Sequence, residues 1–447
     1  MGKTNQALEL HGLLFLPNTK CRLLKITICL LLFATLFLNC NLSGHKKDTD
    51  DSLQYYPPTP AELDKNEFRQ LYRELSECFD TSLLNKGFNG GILIAKNGAV
   101  IYEKYQGLVD LRKKDLPAGQ AGPLTDSTPL HIASTTKTFT SVAVLRLVQE
   151  NKLSLNDTIT KFFPAFPYPG ITVKMLLNHR SGLPNYLYFL SNGDWDKKKY
   201  ALNQDVLNFL ITKKPTKSFT SGTRFSYCNT NYVLLALIIE QITGKSFPEY
   251  MQQKFFGPLQ MNHTYVFTLK DTLTATPSFT NNSTYWGFDF LDGTYGDKNV
   301  YTTPKDLLKW DQALYTDQIL SKKLLDSAFS GYSFEKPTVH NYGLGWRMET
   351  YPGDKKIVYH FGKWHGFNAA YARLPDEKVT IIILGNRFSR SIYNTAHRSY
   401  AIFGYDHVHS LNEDDETEVT SGNKNPAKSE IIKKTSLPKK VDSKAKR

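Results

Sequence analysis

The chain has 447 residues, 40% of them hydrophobic and 13% aromatic, with 28 glycines and 21 prolines. That composition excludes a fibrous or low-complexity chain and leaves room for a large core divided between two subdomains. The net charge of +13 sits mostly at the ends, +7 in residues 424–447 and +3 in residues 1–25, so the body is nearly neutral and nucleic acid is not an expected partner.

Lys20, Arg22 and Lys25 precede an apolar run from Ile26 to Leu38. A basic stretch followed by about 7–15 apolar residues is the pattern of a secretory signal, and the run is short for a spanning helix. Phe37-Leu38-Asn39-Cys40 resembles a bacterial lipoprotein cleavage site, with Asn39 where a small residue is usual. Residues 1–40 are therefore expected to be a signal or lipoprotein-type segment, with Cys40 a candidate for lipidation; an uncleaved signal anchor gives the same topology. Either way the body is expected outside the cytoplasm, in the cell envelope or periplasm, tied to the membrane by its N-terminal segment. Of five cysteines only Cys78 and Cys228 lie beyond this segment. They could form one bridge, which the sequence does not support. No metal-ligand spacing appears, and no metal or cofactor is expected.

Residues 41–60 are polar and end in Tyr-Tyr-Pro-Pro-Thr-Pro, the composition of an extended linker. The folded domain is expected over 61–409. Ala61 to Lys86 reads as an amphipathic helix, with Leu71, Leu75, Phe79 and Leu83 four apart. The runs on either side of Asn97-Gly98 predict a β-hairpin, because a two-residue turn of this type needs positive φ at both positions. Residues 107–129 read as a loop, with Pro117 to Pro123 a small insertion.

Next comes Ser134-Thr-Thr-Lys137, at the head of an apolar segment that predicts a helix to about Glu150. Positions i and i+3 share a helix face, so the Lys137 ammonium can lie beside the Ser134 hydroxyl. A helix N-terminus also favours an alkoxide or oxyanion. A serine hydroxyl is a weak nucleophile until a neighbour takes its proton, and the pair begins to supply that neighbour.

Short helices are expected at Lys174–Asn178, Asp205–Lys213, Asn231–Thr243, Phe247–Phe256 and Pro304–Leu314. From Tyr342 the pattern turns to strands, at Tyr342–Glu349, Lys356–Phe361, Asn368–Leu374 and Val379–Leu384, with a closing helix over Ser391–Phe403. Strands at both ends and helices between them predict an α+β fold. One antiparallel sheet would be made from both chain ends and flanked by helices, with a mostly helical lobe inserted over about 151–335 and the cleft at the seam. Residues 410–447, rich in Lys, Asp, Glu and Ser, read as a disordered basic tail.

Three further stretches complete a constellation. Tyr227-Cys-Asn229 stands just before a predicted helix, and His360-Phe-Gly362-Lys363 stands at the end of a predicted strand. Leu176-Leu-Asn-His179-Arg-Ser-Gly182-Leu-Pro184 is a loop signature in the helical region. Together with Ser134-x-x-Lys137, these motifs resemble the serine β-lactamase and penicillin-binding-protein superfamily. The likeness is to the branch that holds class C β-lactamases, D-Ala-D-Ala carboxypeptidases and related esterases, and it runs from about Gly90 to Phe403. It implies a β-lactamase/transpeptidase-like fold and a serine hydrolase working through an acyl-enzyme on Ser134. Lys137 would lower the proton affinity of its neighbours, and Tyr227 would be the general base. A phenol, with an ordinary pKa of about 10, can act so near neutrality only beside cations that stabilise its anion. The resemblance gives substrate binding to Asn229, His360, Gly362 and Lys363. The oxyanion hole would come from the N–H groups of Ser134 and Lys363. A small peptide, lactam or ester is the implied substrate, with peptidoglycan as the wider target.

Two departures shape the expectation. Tyr285, Trp286, Phe288, Phe290, Tyr295 and Trp364 crowd the stretches that would wall the cleft. A histidine at 360, where many relatives carry lysine, weakens the permanent charge for a substrate carboxylate. Both favour a peptidase, amidase or esterase over an efficient β-lactamase. His179 is read as a loop brace rather than a substrate contact.

Overall fold

In a computed structural model the described residues are 63–112, 122–193, 195–335 and 339–405. The expected signal segment with Cys40, the linker over 41–60 and the basic tail over 410–447 lie outside them. Among the described residues no helix is long and apolar enough to cross a membrane.

The main sheet has seven antiparallel strands drawn from both ends of the domain. β1 (Gly90–Lys96) and β2 (Ala99–Gln106) form the predicted hairpin, with Asn97 at φ 50° and Gly98 at φ 77° in its turn. Short strands β3 (Leu130–His131), β4 (Tyr265–Val266), β5 (Ser278–Phe279), β6 (Tyr285–Trp286) and β7 (Val300–Thr302) build two small separate sheets. β8 (His340–Tyr342), β9 (Arg347–Thr350), β10 (Lys356–Trp364), β11 (Phe367–Leu374) and β12 (Val379–Gly385) complete the main sheet, in the order β2-β1-β12-β11-β10-β9-β8. The single strand expected over Tyr342–Glu349 is thus two strands. Gly343 and Gly345 break the run, and Gly345 has φ 89°, a conformation that favours glycine.

Both faces of the sheet are covered, which is why its central strands read as continuous apolar runs. In β12, Ile381 and Ile383 point to one side and Ile382 and Leu384 to the other. The first side packs on α1 (Lys65–Ser82), through Leu75 and Phe79, and on the closing helix over Ser391–Tyr400, through Ile392 and Ala396. Each fully buried Leu or Phe of this kind contributes about 2–3 kcal/mol. The second side packs on a helical layer centred on α2 (Thr136–Gln149), which is buried along nearly its whole length. α3 (Thr230–Thr243) lies against it, and Phe139 of α2 stacks on Trp310 with ring centres 4.2 Å apart. Cys78 and Cys228 are both free thiols. The bridge that remained open from sequence does not form, because Cys78 sits on α1 while Cys228 is buried in the helical layer against the Leu183 carbonyl.

Candidate active site

Ser134 lies in a single 3₁₀ turn, Ala133–Thr135, that leads directly into α2. The turn is held from three sides. His131 Nδ1 accepts the Ala133 amide at 3.1 Å, Thr135 Oγ1 donates to the His360 carbonyl at 3.0 Å, and the Val300 amide donates to Thr136 Oγ1 at 3.1 Å. Ala133 is forced to φ 47°, strained for a residue with a Cβ. Burial drives the His131 pKa down to about 4, so the ring stays neutral and its Nε2–H donates to Asn299 Oδ1 at 3.0 Å.

Lys137 is fully buried. Its Nζ donates to Ser134 Oγ at 3.1 Å and to the Asp297 carbonyl at 2.8 Å. A buried ammonium needs such partners to offset its lost hydration. The same Nζ stands 4.9 Å from the Tyr227 ring centre and 5.6 Å from that of Tyr232. Tyr227 is half-buried, with its hydroxyl buried. A second cation, Arg347 on β9, lies 5.5 Å from the Tyr227 ring centre. Asn229 is the N-cap residue of α3 and half-buried.

β10 forms the opposite wall. A Cβ on Gly362 would lie 2.2 Å from the Ile132 carbonyl oxygen and 2.9 Å from the Ser134 amide nitrogen, so only glycine lets the strand come this close to the nucleophile's turn. Lys363 follows, paired with Asn368, its side chain 5.1 Å from the Phe388 ring centre. Burial and the nearby Arg390 push the Lys363 pKa down. His360 is fully buried; Nε2 lies 3.1 Å from Tyr342 Oη and Nδ1 2.7 Å from the Phe361 carbonyl. Burial, then the charges of Arg347 and Lys137, hold its pKa well below the ordinary value. The structure therefore places Ser134, Lys137, Tyr227 and Gly362 about one point, with Asn229, His360 and Lys363 on the elements that enclose it.

Sequence reasoning missed Arg347 and Tyr342, which flank Tyr227 and His360. The signal was present in Tyr342-Gly-Leu-Gly-Trp, where two glycines two apart mark a break in a strand. Asp297, which holds Lys137 through its carbonyl, offered no motif. His365, five residues beyond His360, places Nε2 at 2.9 Å from Asp292 Oδ2, and Trp364 donates its indole N–H to Asp292 Oδ1 at 2.6 Å. Asp289, Asp292 and His365 bring potential ligand atoms within 4.8 Å of one another. The Asp292 oxygens there already accept hydrogen bonds from His365, Trp364 and the Asp289 amide, so the cluster reads as a hydrogen-bonded wall.

Residues 68–402 match the beta-lactamase family. Penicillin-binding protein 4* of Bacillus subtilis (strain 168) is 32% identical over 343 residues, covering 72% of this chain and 74% of that protein. Protein flp of Staphylococcus aureus (strain MW2) is 30% identical over 345 residues, 71% of this chain and 64% of flp. The octameric penicillin-binding protein homologue of Pyrococcus abyssi superposes with a TM-score of 0.64 at 25% identity, over 74% of this chain and 77% of that one. In fold alone, D-amino acid amidase of Ochrobactrum anthropi SV3 is similar, with a TM-score of 0.60 at 23% identity over 74% of this chain and 98% of that one. The extent of the family match and the identity to the Bacillus protein establish that this chain belongs to the beta-lactamase family of serine hydrolases.

Proposed function

We propose that the protein hydrolyses a small acyl compound ending in a carboxylate, with D-Ala-D-Ala peptides of the cell envelope as the favoured substrate and β-lactams as slow ones. The observation that carries this reading is the Lys137 ammonium, bonded to Ser134 Oγ and set against the Tyr227 ring. Arg347 supports the choice of substrate, since it brings a permanent cation to the wall where buried His360 offers none. An esterase acting on uncharged acyl esters is the second reading, favoured by that neutral His360.

In the proposed reaction Tyr227, as phenolate, takes the Ser134 hydroxyl proton while Oγ attacks the substrate carbonyl carbon. Lys137 and Arg347 supply the positive field that a phenolate needs. The oxyanion is held by the Ser134 and Lys363 N–H groups, each such donor being worth about 3 kcal/mol. Collapse breaks the acyl bond; the leaving amine or alcohol takes the proton from Tyr227, and the acyl group stays on Ser134. Water, deprotonated by the restored phenolate, then releases the acid. The N-terminal segment read as a signal or lipoprotein-type anchor supports a place outside the cytoplasm, facing peptidoglycan.

Intact-mass spectrometry with penicillin tests this directly. A covalent adduct is expected on the wild type and on no Ser134→Ala sample. Arg347→Met should slow acylation by the carboxylate-bearing penicillin about tenfold or more, while p-nitrophenyl acetate turnover changes less than about threefold. An adduct on Ser134→Ala would refute the nucleophile. Equal losses on both substrates would refute the role of Arg347. Neither adduct nor ester turnover in the wild type would leave a non-catalytic binding protein.

A further inference from the structure

We propose that Tyr342 and His179 are positioning residues of this site. Their hydrogen bonds form a one-way chain that fixes the tautomer of His179 and of His360, and so ties the loop carrying Tyr227 and Asn229 to the strand carrying Gly362 and Lys363. The proposal rests on the hydrolase reading above for its kinetic consequences, but not for its geometry.

The two ends of the chain determine its direction. At one end the Cys228 amide, which can only donate, points at His179 Nδ1 from 3.1 Å, and Asn231 Nδ2 stands 3.3 Å from the same atom. Nδ1 of His179 therefore carries the lone pair and Nε2 the proton. At the other end the Phe361 carbonyl, which can only accept, lies 2.7 Å from His360 Nδ1. The proton of His360 is thus on Nδ1 and the lone pair on Nε2. Between them stands one hydroxyl. Tyr342 Oη is 3.2 Å from His179 Nε2 and 3.1 Å from His360 Nε2, so it accepts from the first ring and donates to the second. Tyr232 stands beside that hydroxyl, but its own proton goes to the Leu177 carbonyl at 2.7 Å.

All three side chains are buried, His179 and His360 completely, so water is a poor substitute for any of these partners. The charged groups nearest the rings are Lys137 of α2 and Arg347 of β9; both oppose protonation, although burial opposes it more. Protonating His179 would set its Nδ1–H against the Cys228 N–H. Protonating His360 would make Nε2 a donor, so that the Tyr342 O–H would have to turn away from it. Either event breaks the one-way chain that links the wall with the general base to the wall with an oxyanion donor. The chain joins two layers, since His179 and Cys228 belong to loops of the helical layer while Tyr342 and His360 belong to the main sheet. His179 itself sits at φ 57°, an outlier that these bonds hold in place.

Two measurements on the full chain test the proposal. Nitrogen-15 NMR of labelled histidines should show His179 with its proton on Nε2 and His360 with its proton on Nδ1, neither titrating between about pH 8 and about pH 5. Hydrolysis of p-nitrophenyl acetate by Tyr342→Phe, which removes only the hydroxyl, should lose about tenfold or more in kcat with KM within about threefold. Its acid limb of kcat/KM should rise, because nothing now donates to His360 Nε2. His179→Gln, which keeps a donor near the Nε2 position, should retain more activity than His179→Ala. The opposite tautomer at either ring overturns the proposal, as does a Tyr342→Phe enzyme whose kcat and pH profile stay within about twofold. If the wild type shows neither esterase activity nor a penicillin adduct, the hydrolase reading fails while the tautomers still decide the chain. If Tyr342→Phe does not fold, the wild-type spectra decide it alone.

Discussion

Gly362→Ala isolates the contact between the strand edge and the nucleophile's turn. The added methyl would sit 2.2 Å from the Ile132 carbonyl oxygen, 2.9 Å from the Ser134 nitrogen and 3.1 Å from Ala133 Cβ. Two of these three atoms are backbone, so no side chain can swing aside. An ordinary carbon–oxygen contact is about 3.3–3.6 Å, so the strand and the turn must separate by about 1 Å. A displacement of that size at a reacting centre costs about a hundredfold, and losing one oxyanion donor costs about 10²–10³ in kcat. The expected outcome is therefore a fall of at least about a hundredfold in the rate of Ser134 acylation, read by stopped-flow with a chromogenic ester. Overpacking a site of this kind costs about 1–3 kcal/mol of stability, so the variant should stay folded by circular dichroism. A folded Gly362→Ala protein that acylates within about threefold of wild type would show that the close approach does not set the reactive geometry.

Stability should fall in acid. Burial depresses the pKa of His131, His179 and His360, so each is neutral in the fold and takes up a proton on unfolding. Their contribution is whole above the unfolded pKa of about 6.5 and is lost as pH falls below it, at up to about 1.4 kcal/mol per histidine per pH unit. Urea melts at about pH 7 and about pH 5 should differ by several kcal/mol, and equal midpoints would contradict the neutral burial. Asp311→Ala should destabilise by about 3–5 kcal/mol without reaching the cleft. It strips Arg373 of its carboxylate, 2.5 Å away, and leaves the Tyr371 and Thr380 hydroxyls without the oxygens they donate to. A thermal midpoint unchanged in Asp311→Ala would refute that account.

What could be read from sequence was whatever is encoded at short range. The Asn97-Gly98 hairpin was legible because few residues tolerate its turn. Ser134 and Lys137 were legible because a helical rise places them together, and Tyr227 and Gly362 because family spacing marks them. The partners that set their environment come from distant places. Lys137 meets the Asp297 carbonyl 160 residues on, and His179 meets Tyr342 163 residues on. No local pattern encodes either contact. β4 to β7 went unread for a related reason: strands of two or three residues show no period, and their partners are tertiary. Arg347 was hidden inside a run read as one strand, although Gly343 and Gly345 mark the break after which β9 begins.

The closure of one sheet from both ends of the domain also orders events in time. β1 bonds to β12 in full register, from Gly90↔Gly385 to Lys96↔Val379, so the first hairpin has no inner neighbour until the last strand has been synthesised. The serine turn is made early, but the Gly362 edge that completes it comes late. A chain emerging from a ribosome would therefore carry its nucleophile without the wall opposite. Long-range pairing of this kind is slow to form. Hydrolytic competence would then switch on only at the final step of assembly, which keeps an unfinished chain from attacking acyl compounds.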